Sequence, residues 1–145
     1  MVKATRNTIQ EHSKPIFGHP EVDWSWSDLN GYWNALGEHG TGVNVATLVG
    51  HGFVRNAVLG YEDRQANDRE LDLMCNHINE SMAQGALGLS TGLCYAPGLF
   101  ADTREVVALA KAAGSSGGLY VTHLRNQVDG LVGSVEEALE IGRQG

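Results

Sequence analysis

A histidine and an arginine follow a β-prone run, where they could bind a metal ion and an anionic group. Residues 119–122 (LYVT) favour a strand, and His123 and Arg125 come just after them. Imidazole is a common zinc ligand, and a guanidinium binds a carboxylate through two parallel hydrogen bonds. The residues alone leave two alternatives for His123, a metal ligand or a core histidine hydrogen-bonded to backbone. Arg125 is either a carboxylate clamp or the partner of Asp129 or of a helix carboxylate.

A serine lies in a second pattern that could carry chemistry. Residues 88–92 (GLSTG) match the G-x-S-x-G motif of serine hydrolases around Ser90 and follow a predicted strand. A nucleophile elbow must enter a helix at once, whereas this segment runs on into a loop that contains Pro97. Asp102, which would have to orient His123 in a triad, is better placed as a helix cap. A serine hydrolase is therefore third among the functions that the sequence suggests, after the two described at the end of this section.

Three further side chains lie beside these motifs. Cys94 has no neighbour in the sequence that would activate its thiol, so we expect it to be inert. Tyr95 could donate its hydroxyl hydrogen to a substrate or could simply pack as a loop aromatic. His51 follows the first predicted strand and shares the alternatives of His123, but the glycines on both sides of it favour a structural role.

Parallel strands would bring all of these residues to one edge of a sheet. We predict strands at residues 43–49, 86–90 and 119–124, each short, apolar and bounded by glycine-containing turns. Amphipathic helices separate them, and this alternation is typical of α/β folds with right-handed crossovers. Three strands cannot close a barrel. The alternation looks cut from a longer one, so the predicted fold is part of a TIM-like (β/α) barrel.

Capping residues and apolar spacing predict where the helices begin. Ser27 is the expected N-cap of the first, a short helix is expected near residues 54–59, and Asp68 should cap the next. Asp102 with Glu105, and Ser134 with Glu137, both have the spacing of a capping box. The apolar faces of the second and third long helices are expected to form the core, through Leu71, Met74, Cys75, Ile78, Met82, Val106, Leu109, Ala110 and Ala113.

Composition excludes several classes of function. The chain has 145 residues, a net charge of -7 and only 10 lysines and arginines without a basic cluster, so nucleic acids and anionic membranes are disfavoured as partners. No signal peptide and no apolar run of membrane-spanning length is present, and we expect a cytoplasmic location. The two cysteines are expected to be reduced. Residues 1–20 are predicted to form an irregular lead-in, followed by a partial barrel over residues 21–145.

Four motifs in colinear order resemble the N-acyl-D-amino-acid deacylases (D-aminoacylases) of the amidohydrolase superfamily. They are DWSW at 23–26, LVGHG at 48–52 with Arg55, GALGLSTGL at 85–93 with Tyr95, and YVTHLR at 120–125. The resemblance implies a (β/α) barrel with a zinc centre at the carboxyl ends of its strands. It also implies hydrolysis of an N-acyl-D-amino acid, a small-molecule substrate, to a carboxylate and a free D-amino acid. Within that resemblance His123 matches a zinc ligand, and Tyr95 matches a tyrosine of the substrate pocket.

Other parts of the family's site are missing from this sequence. It has no His-x-His, no Asn-Cys-Gly, no Ser-His-x-Lys and no late catalytic aspartate, and Asn126-Gln127 replaces an acidic pair. We therefore expect an internal fragment with an incomplete zinc site, inactive in isolation and able to self-associate through exposed barrel surfaces. The alternative is a non-catalytic α/β binding or interaction module. A monodisperse, cooperatively melting monomer without affinity for zinc would favour the module.

Overall fold

The computed structural model describes residues 25–145, and these form two compact units. The first ends at Val45, and the second runs from Ala46 to Gly145. The predicted lead-in at residues 1–20 lies outside the described residues.

The described part of the first unit, residues 25–45, contains the helix α1 (Leu29–His39). Its N-cap is Asp28, whose side chain accepts a hydrogen bond from the backbone N–H of Gly31 at 2.9 Å. The predicted cap, Ser27, is wrong by one position, because only a side chain one residue further on reaches that donor. The ring of Tyr32 packs between two tryptophans, with ring centroids 5.8 Å from Trp26 and 5.3 Å from Trp33.

The second unit is built on a parallel sheet, as predicted. Its strands are β1 (Val49–Gly50), β2 (Gly88–Gly92) and β3 (Leu119–His123), in the order β1-β2-β3. The predicted bounds of the first two strands are wrong, and β3 ends at His123, one residue before its predicted end. Residues 43–48 are not strand, since β1 pairs with β2 only at residues 49 and 50 before a helix begins at His51. The second strand begins at Gly88, because Gln84, Gly85 and Ala86 still donate to helix carbonyls.

Helices connect the strands, as predicted. They are α2 (His51–Leu59), α3 (Asp68–Ala83), α4 (Thr103–Gly114) and α5 (Leu131–Gln144), and a short 3-10 helix spans Gly98–Phe100. The helix expected near residues 54–59 begins three residues earlier, directly after β1. Asn67 rather than Asp68 caps α3, where its side chain and that of Glu70 form a complete capping box.

The predicted capping boxes at the later helices fail in part. Asp102 does cap α4, accepting from the backbone N–H of Glu105 at 2.8 Å, but the Glu105 carboxylate turns into the protein instead of returning to the cap. α5 begins at Leu131, before Ser134, so Ser134 is no N-cap. Its hydroxyl accepts instead from the backbone N–H of Asn126 at 3.0 Å, which ties the preceding loop to the helix.

The core lies where the apolar spacing predicts it. α4 packs against β2, β3, α3 and α5, and it buries the apolar face expected for it. Met74 and Ile78 of α3 and Ile141 of α5 pack into this core from the neighbouring helices. The fully or nearly buried apolar residues are Val54, Leu59, Met74, Ile78, Leu89, Leu93, Ala101, Val106, Leu109, Ala110, Ala113 and Ile141.

One side of the second unit exposes apolar side chains. β3 ends the strand order, and its residues Leu119 and Val121 are exposed. Val128, before α5, and Val132, in α5, are exposed as well. Among residues 25–145, no helix is both long enough and apolar enough to cross a membrane.

Candidate functional site

Parallel pairing brings the ends of β2 and β3 together. Gly92 is the register partner of His123, and the backbone N–H of Leu93 donates to the carbonyl of His123 at 3.1 Å. The loop that follows β2 therefore starts beside the His123 side chain. As the sequence predicts, the residues of chemical interest gather at the carboxyl ends of the strands.

Three exposed or half-exposed side chains form what we call the edge cluster, namely Cys94, Tyr95 and His123. The Sγ of Cys94 lies 3.2 Å from Nδ1 of His123, which also lies 3.3 Å from the carbonyl oxygen of Leu124. The Tyr95 ring meets the imidazole edge-on, with ring centroids 5.2 Å apart. His123 is thus exposed and is not a core histidine.

The same contacts act on the phenol of Tyr95. Hydrogen bonding to the Cys94 side chain, with the charge that its thiolate would carry, raises the pKa of Tyr95 above its usual value. The side chain is 60% exposed, so its neutral hydroxyl can reach a molecule at the sheet edge. This arrangement agrees with a hydrogen-bond donor to a substrate. The contact between Cys94 and His123 could not be predicted from the sequence, because the two residues are 29 positions apart and belong to different segments.

A second group, which we call the buried cluster, lies beneath the same edge and consists of His51, Arg55 and Glu105. Nε2 of His51 is 2.7 Å from one carboxylate oxygen of Glu105, and Arg55 donates to the other oxygen. All three side chains are at most 2% exposed. Arg55 also donates to the backbone carbonyls of Glu62 and Arg64, so the cluster joins α2, α4 and the loop after α2.

Of this cluster, only a structural role for His51 was expected from the sequence. Glu105 was expected in a capping box, and it lies 50 positions from Arg55. The one local signal was the spacing of His51 and Arg55, which places them on one face of a helix.

Arg125 proves to be the partner of a helix carboxylate. Two of its nitrogens donate to the two carboxylate oxygens of Glu137 in α5, each at 2.9 Å, and a third contact reaches the carbonyl of Leu99. Hydrogen bonding from Arg125 lowers the pKa of the Glu137 carboxyl, and a hydrogen bond from Thr103 adds to this effect. A guanidinium held by Glu137 is not free to clamp a substrate carboxylate.

The structure gives the serine hydrolase alternative no support. The Ser90 hydroxyl donates to the carbonyl of Val49 at 3.4 Å, Asp102 caps α4, and His123 meets Cys94. Each member of the required triad is therefore bonded elsewhere.

A metal ion finds only a partial set of ligands in residues 25–145. Nowhere in this part of the chain do three histidine, cysteine, aspartate or glutamate side chains converge closely enough to hold an ion. The edge cluster brings an imidazole and a thiol side by side. Residues 25–145 therefore contain no complete zinc site of their own.

Comparison with known proteins gives relatives of one kind, although no family model matches the chain. D-aminoacylase from Alcaligenes xylosoxydans xylosoxydans is 38% identical over 113 residues, which are 78% of this chain and 23% of the relative. N-acyl-D-aspartate deacylase from the same organism is 38% identical over 130 residues, or 89% of this chain and 26% of the relative. The chain spans about a quarter of the length of the curated relatives it matches.

Solved structures agree with the sequence comparison. A crystal structure of D-aminoacylase, described as defining a novel subset of amidohydrolases, matches with a TM-score of 0.78 and 34% identity over 82% of this chain and 25% of its own. N-acyl-D-glutamate deacylase from Bordetella bronchiseptica, complexed with zinc and a phosphonate inhibitor, matches with a TM-score of 0.80 and 35% identity over 86% of this chain and 26% of its own. The resemblance predicted from the four motifs is confirmed.

Proposed function

We propose that this chain, which is related in sequence and fold to part of the N-acyl-D-amino-acid deacylases, serves a metal-dependent hydrolase that cleaves the amide bond of N-acyl-D-amino acids. The products are a carboxylate and a free D-amino acid. The observation that carries the proposal is the edge cluster. It places an accessible imidazole and an accessible phenol at the carboxyl ends of parallel strands in a chain whose relatives are deacylases.

In this proposal His123 is one ligand of a zinc ion and Tyr95 contacts the substrate. A zinc ion at such a site polarises a carbonyl and lowers the pKa of a bound water. The chain's own residues hold the pieces in place. The carbonyl of Leu124 and the ring of Tyr95 orient the imidazole, and the Tyr95 side chain is exposed and can donate its hydroxyl hydrogen to a substrate oxygen.

We propose further that the 145-residue chain is inactive by itself, because residues 25–145 supply too few ligands for a catalytic zinc ion. The same reasoning makes the chain part of a larger (β/α) barrel, to which the exposed surface of β3 and α5 would belong. The cytoplasmic location and the self-association expected from the sequence stay predictions.

A hybrid enzyme tests the proposal directly. The segment of the Alcaligenes D-aminoacylase that aligns with this chain is replaced by the corresponding residues of this chain. We expect the isolated chain to release no D-amino acid from N-acetyl-D-amino acids and the hybrid to release it. His123→Ala in the hybrid should lower kcat/KM at least about a hundredfold and reduce the zinc content, since even residues that only orient metal ligands are worth about ten- to a hundredfold.

His77→Ala is the matched control, because His77 is an exposed histidine on α3 far along the chain from the sheet edge. It should leave rate and zinc content unchanged. A folded hybrid without activity would contradict the deacylase proposal, and full zinc content after His123→Ala would contradict the ligand assignment.

A second candidate function, the non-catalytic α/β module, is favoured by one observation. Residues 46–145 form a compact unit with a buried core of their own. Size-exclusion chromatography and thermal melting separate the two proposals. A part-barrel should associate through its exposed β3 and α5 surface, whereas a module should be a monodisperse, cooperatively melting monomer.

A further inference from the structure

We propose that His51 is a positioning residue, whose buried imidazole supports the loop on which Tyr95 lies. This loop, the β2–α4 loop, spans residues 93–101 between the two elements. The inference rests on the role proposed for Tyr95, a contact to the substrate, and deepens it by naming a residue that determines where Tyr95 lies. His51 itself contacts neither the substrate nor the zinc ion in this proposal.

The His51 imidazole has only one of its two nitrogens bonded within the buried cluster. Nε2 donates to a carboxylate oxygen of Glu105 at 2.7 Å, and this carboxylate also accepts from Arg55. Nδ1 has no hydrogen-bond partner among residues 25–145, although the side chain is fully buried. Glu105 therefore fixes one side of the ring, and the other side is available to pack against a neighbouring segment.

That neighbouring segment is the β2–α4 loop. A Cβ atom on Gly98 would lie 3.4 Å from Nδ1 of His51 and 2.9 Å from the carbonyl oxygen of Gly92. Pro97 packs beside it, since a Cβ atom on Gly52 would lie 3.8 Å from the Cδ of Pro97. Gly98 and Pro97 are both buried. The turn of the loop is thus held between the end of β2 and the first residues of α2.

Backbone hydrogen bonds connect this turn to Tyr95. The N–H of Leu99 donates to the carbonyl of Tyr95 at 2.8 Å, and the N–H of Tyr95 donates to the carbonyl of Gly92 at 3.2 Å. Arg125 donates to the carbonyl of Leu99 at 3.2 Å. Because these bonds close a short turn, a displacement of Gly98 moves Tyr95 as well. A shift of about 1 Å is enough to cost an enzyme a productive contact.

Glutamine at position 51 separates the two contacts of the imidazole. Its amide N–H can donate to Glu105 as Nε2 does, so the buried carboxylate keeps its partner. Its side chain is flexible and has no ring, and it cannot support Gly98 as a planar imidazole does. His51→Gln therefore keeps the bond that stabilises the fold and removes the contact on which the inference rests.

Nuclear magnetic resonance on the 145-residue chain tests the inference without depending on catalysis. The signal measured is the nuclear Overhauser effect (NOE) between the ring protons of Tyr95 and His123, whose ring centroids are 5.2 Å apart. We expect His51→Gln to abolish this NOE and to leave the midpoint of urea unfolding close to that of the unaltered chain. His77→Gln, the same change at an exposed histidine of α3, is the matched control and should keep both.

A folded His51→Gln variant that retains the NOE would overturn the inference. If this variant does not fold, Gly98→Ala replaces it, because the added methyl group would displace the loop directly. The NOE should then be lost, and its retention would overturn the inference equally.

The hybrid enzyme relates the position of Tyr95 to the proposed reaction. His51→Gln in the hybrid should raise KM about tenfold with little change in kcat, because the displaced phenol loses a hydrogen bond to the substrate. Tyr95→Phe should raise KM by a similar factor, and the double variant should be no worse than Tyr95→Phe alone. Multiplied effects in the double variant would overturn the positioning role. An inactive, folded hybrid would contradict the proposed function, and loss of the NOE in His51→Gln would still support the positioning of Tyr95.

Discussion

The buried cluster and the edge cluster contain similar residue types at one edge of the sheet but differ in their exposure to solvent. Each contains a histidine next to a side chain that can lose a proton, the carboxyl of Glu105 or the thiol of Cys94. In the buried cluster His51 is fully buried and shares the carboxylate of Glu105 with Arg55. In the edge cluster the His123 and Tyr95 side chains are exposed to solvent.

Solvation explains what the difference does. Charged groups removed from water must bond to one another, and a partner left alone in the interior is costly. Glu105 therefore serves to hold α2, α4 and the loop after α2 together. Groups that remain in water keep a free bonding position for a ligand. The buried cluster stabilises the sheet edge, and the edge cluster stays exposed to solvent there.

The largest effect that would test this comparison is expected from Glu105→Gln. It leaves the buried Arg55 without its counter-charge, and breaking a buried pair in this way costs about 3–5 kcal/mol. Urea denaturation followed by circular dichroism measures the free energy of unfolding. Glu62→Gln, which removes an exposed partner of Arg64, should cost far less.

If Glu105→Gln is too unstable to fold, the double variant with Arg55→Gln keeps the test open. It removes the orphaned charge and should be more stable than Glu105→Gln alone. Equal stability of Glu105→Gln and the unaltered chain would show that the buried cluster is not a structural brace.

A smaller effect is expected when the two histidines are compared directly. His51→Ala removes a buried hydrogen bond to Glu105 and should cost about 1–3 kcal/mol. His123→Ala removes an exposed side chain and should change the free energy of unfolding by no more than about 0.5 kcal/mol. Thermal and urea unfolding of both variants measures the difference, and similar losses would erase the distinction between the two clusters.

The smallest effect concerns Glu137, which pairs with Arg125. This pair is half-buried, and its exposure lies between that of the buried cluster and that of the edge cluster. The pair holds the pKa of Glu137 in the folded chain below its usual value of 4.5. A depressed pKa means that the pair stabilises the fold at neutral pH, and this stabilisation is lost as the pH falls below about 4.5 and the carboxylate takes up a proton.

Glu137→Gln should therefore lower the free energy of unfolding at pH 7 by about 1 kcal/mol. As the pH falls, the free energy of unfolding of this variant should decrease less steeply than that of the unaltered chain. Urea unfolding at a series of pH values measures both curves. Parallel curves down to pH 3 would mean that the ion pair contributes nothing to the acid sensitivity of the fold.

The fold class could be predicted from the sequence because its signals are local. The apolar face of α4 repeats at helical spacing and is buried as expected, and β-branched runs marked the place of β3. The bounds of β1 and β2 could not be predicted, since they depend on where the neighbouring helices begin and end. Residues 43–48 have strand-like composition, but they lie outside the β1–β2 pairing.

The site was predictable in one respect and hidden in another. The carboxyl end of β3 marked His123 as accessible. The partners of each polar side chain came from remote positions, as Glu105 did for Arg55 and Cys94 did for His123. Capping motifs misled for the same reason, because Glu105 and Glu137 bond to remote partners more favourably than to their own helix ends.

The alignment of the residues in the edge cluster depends on Gly88, which lies at the other end of β2. Its backbone has a φ of 150°, and a Cβ atom there would lie 2.1 Å from the carbonyl oxygen of Leu119. A side chain is thus forbidden at the point where β2 and β3 first align. The alignment set there runs on in step to Gly92 and His123. A hydrogen atom in place of a methyl group therefore sets which residues face each other four positions away, and a change at Gly88 could misalign the thiol and imidazole without altering either one.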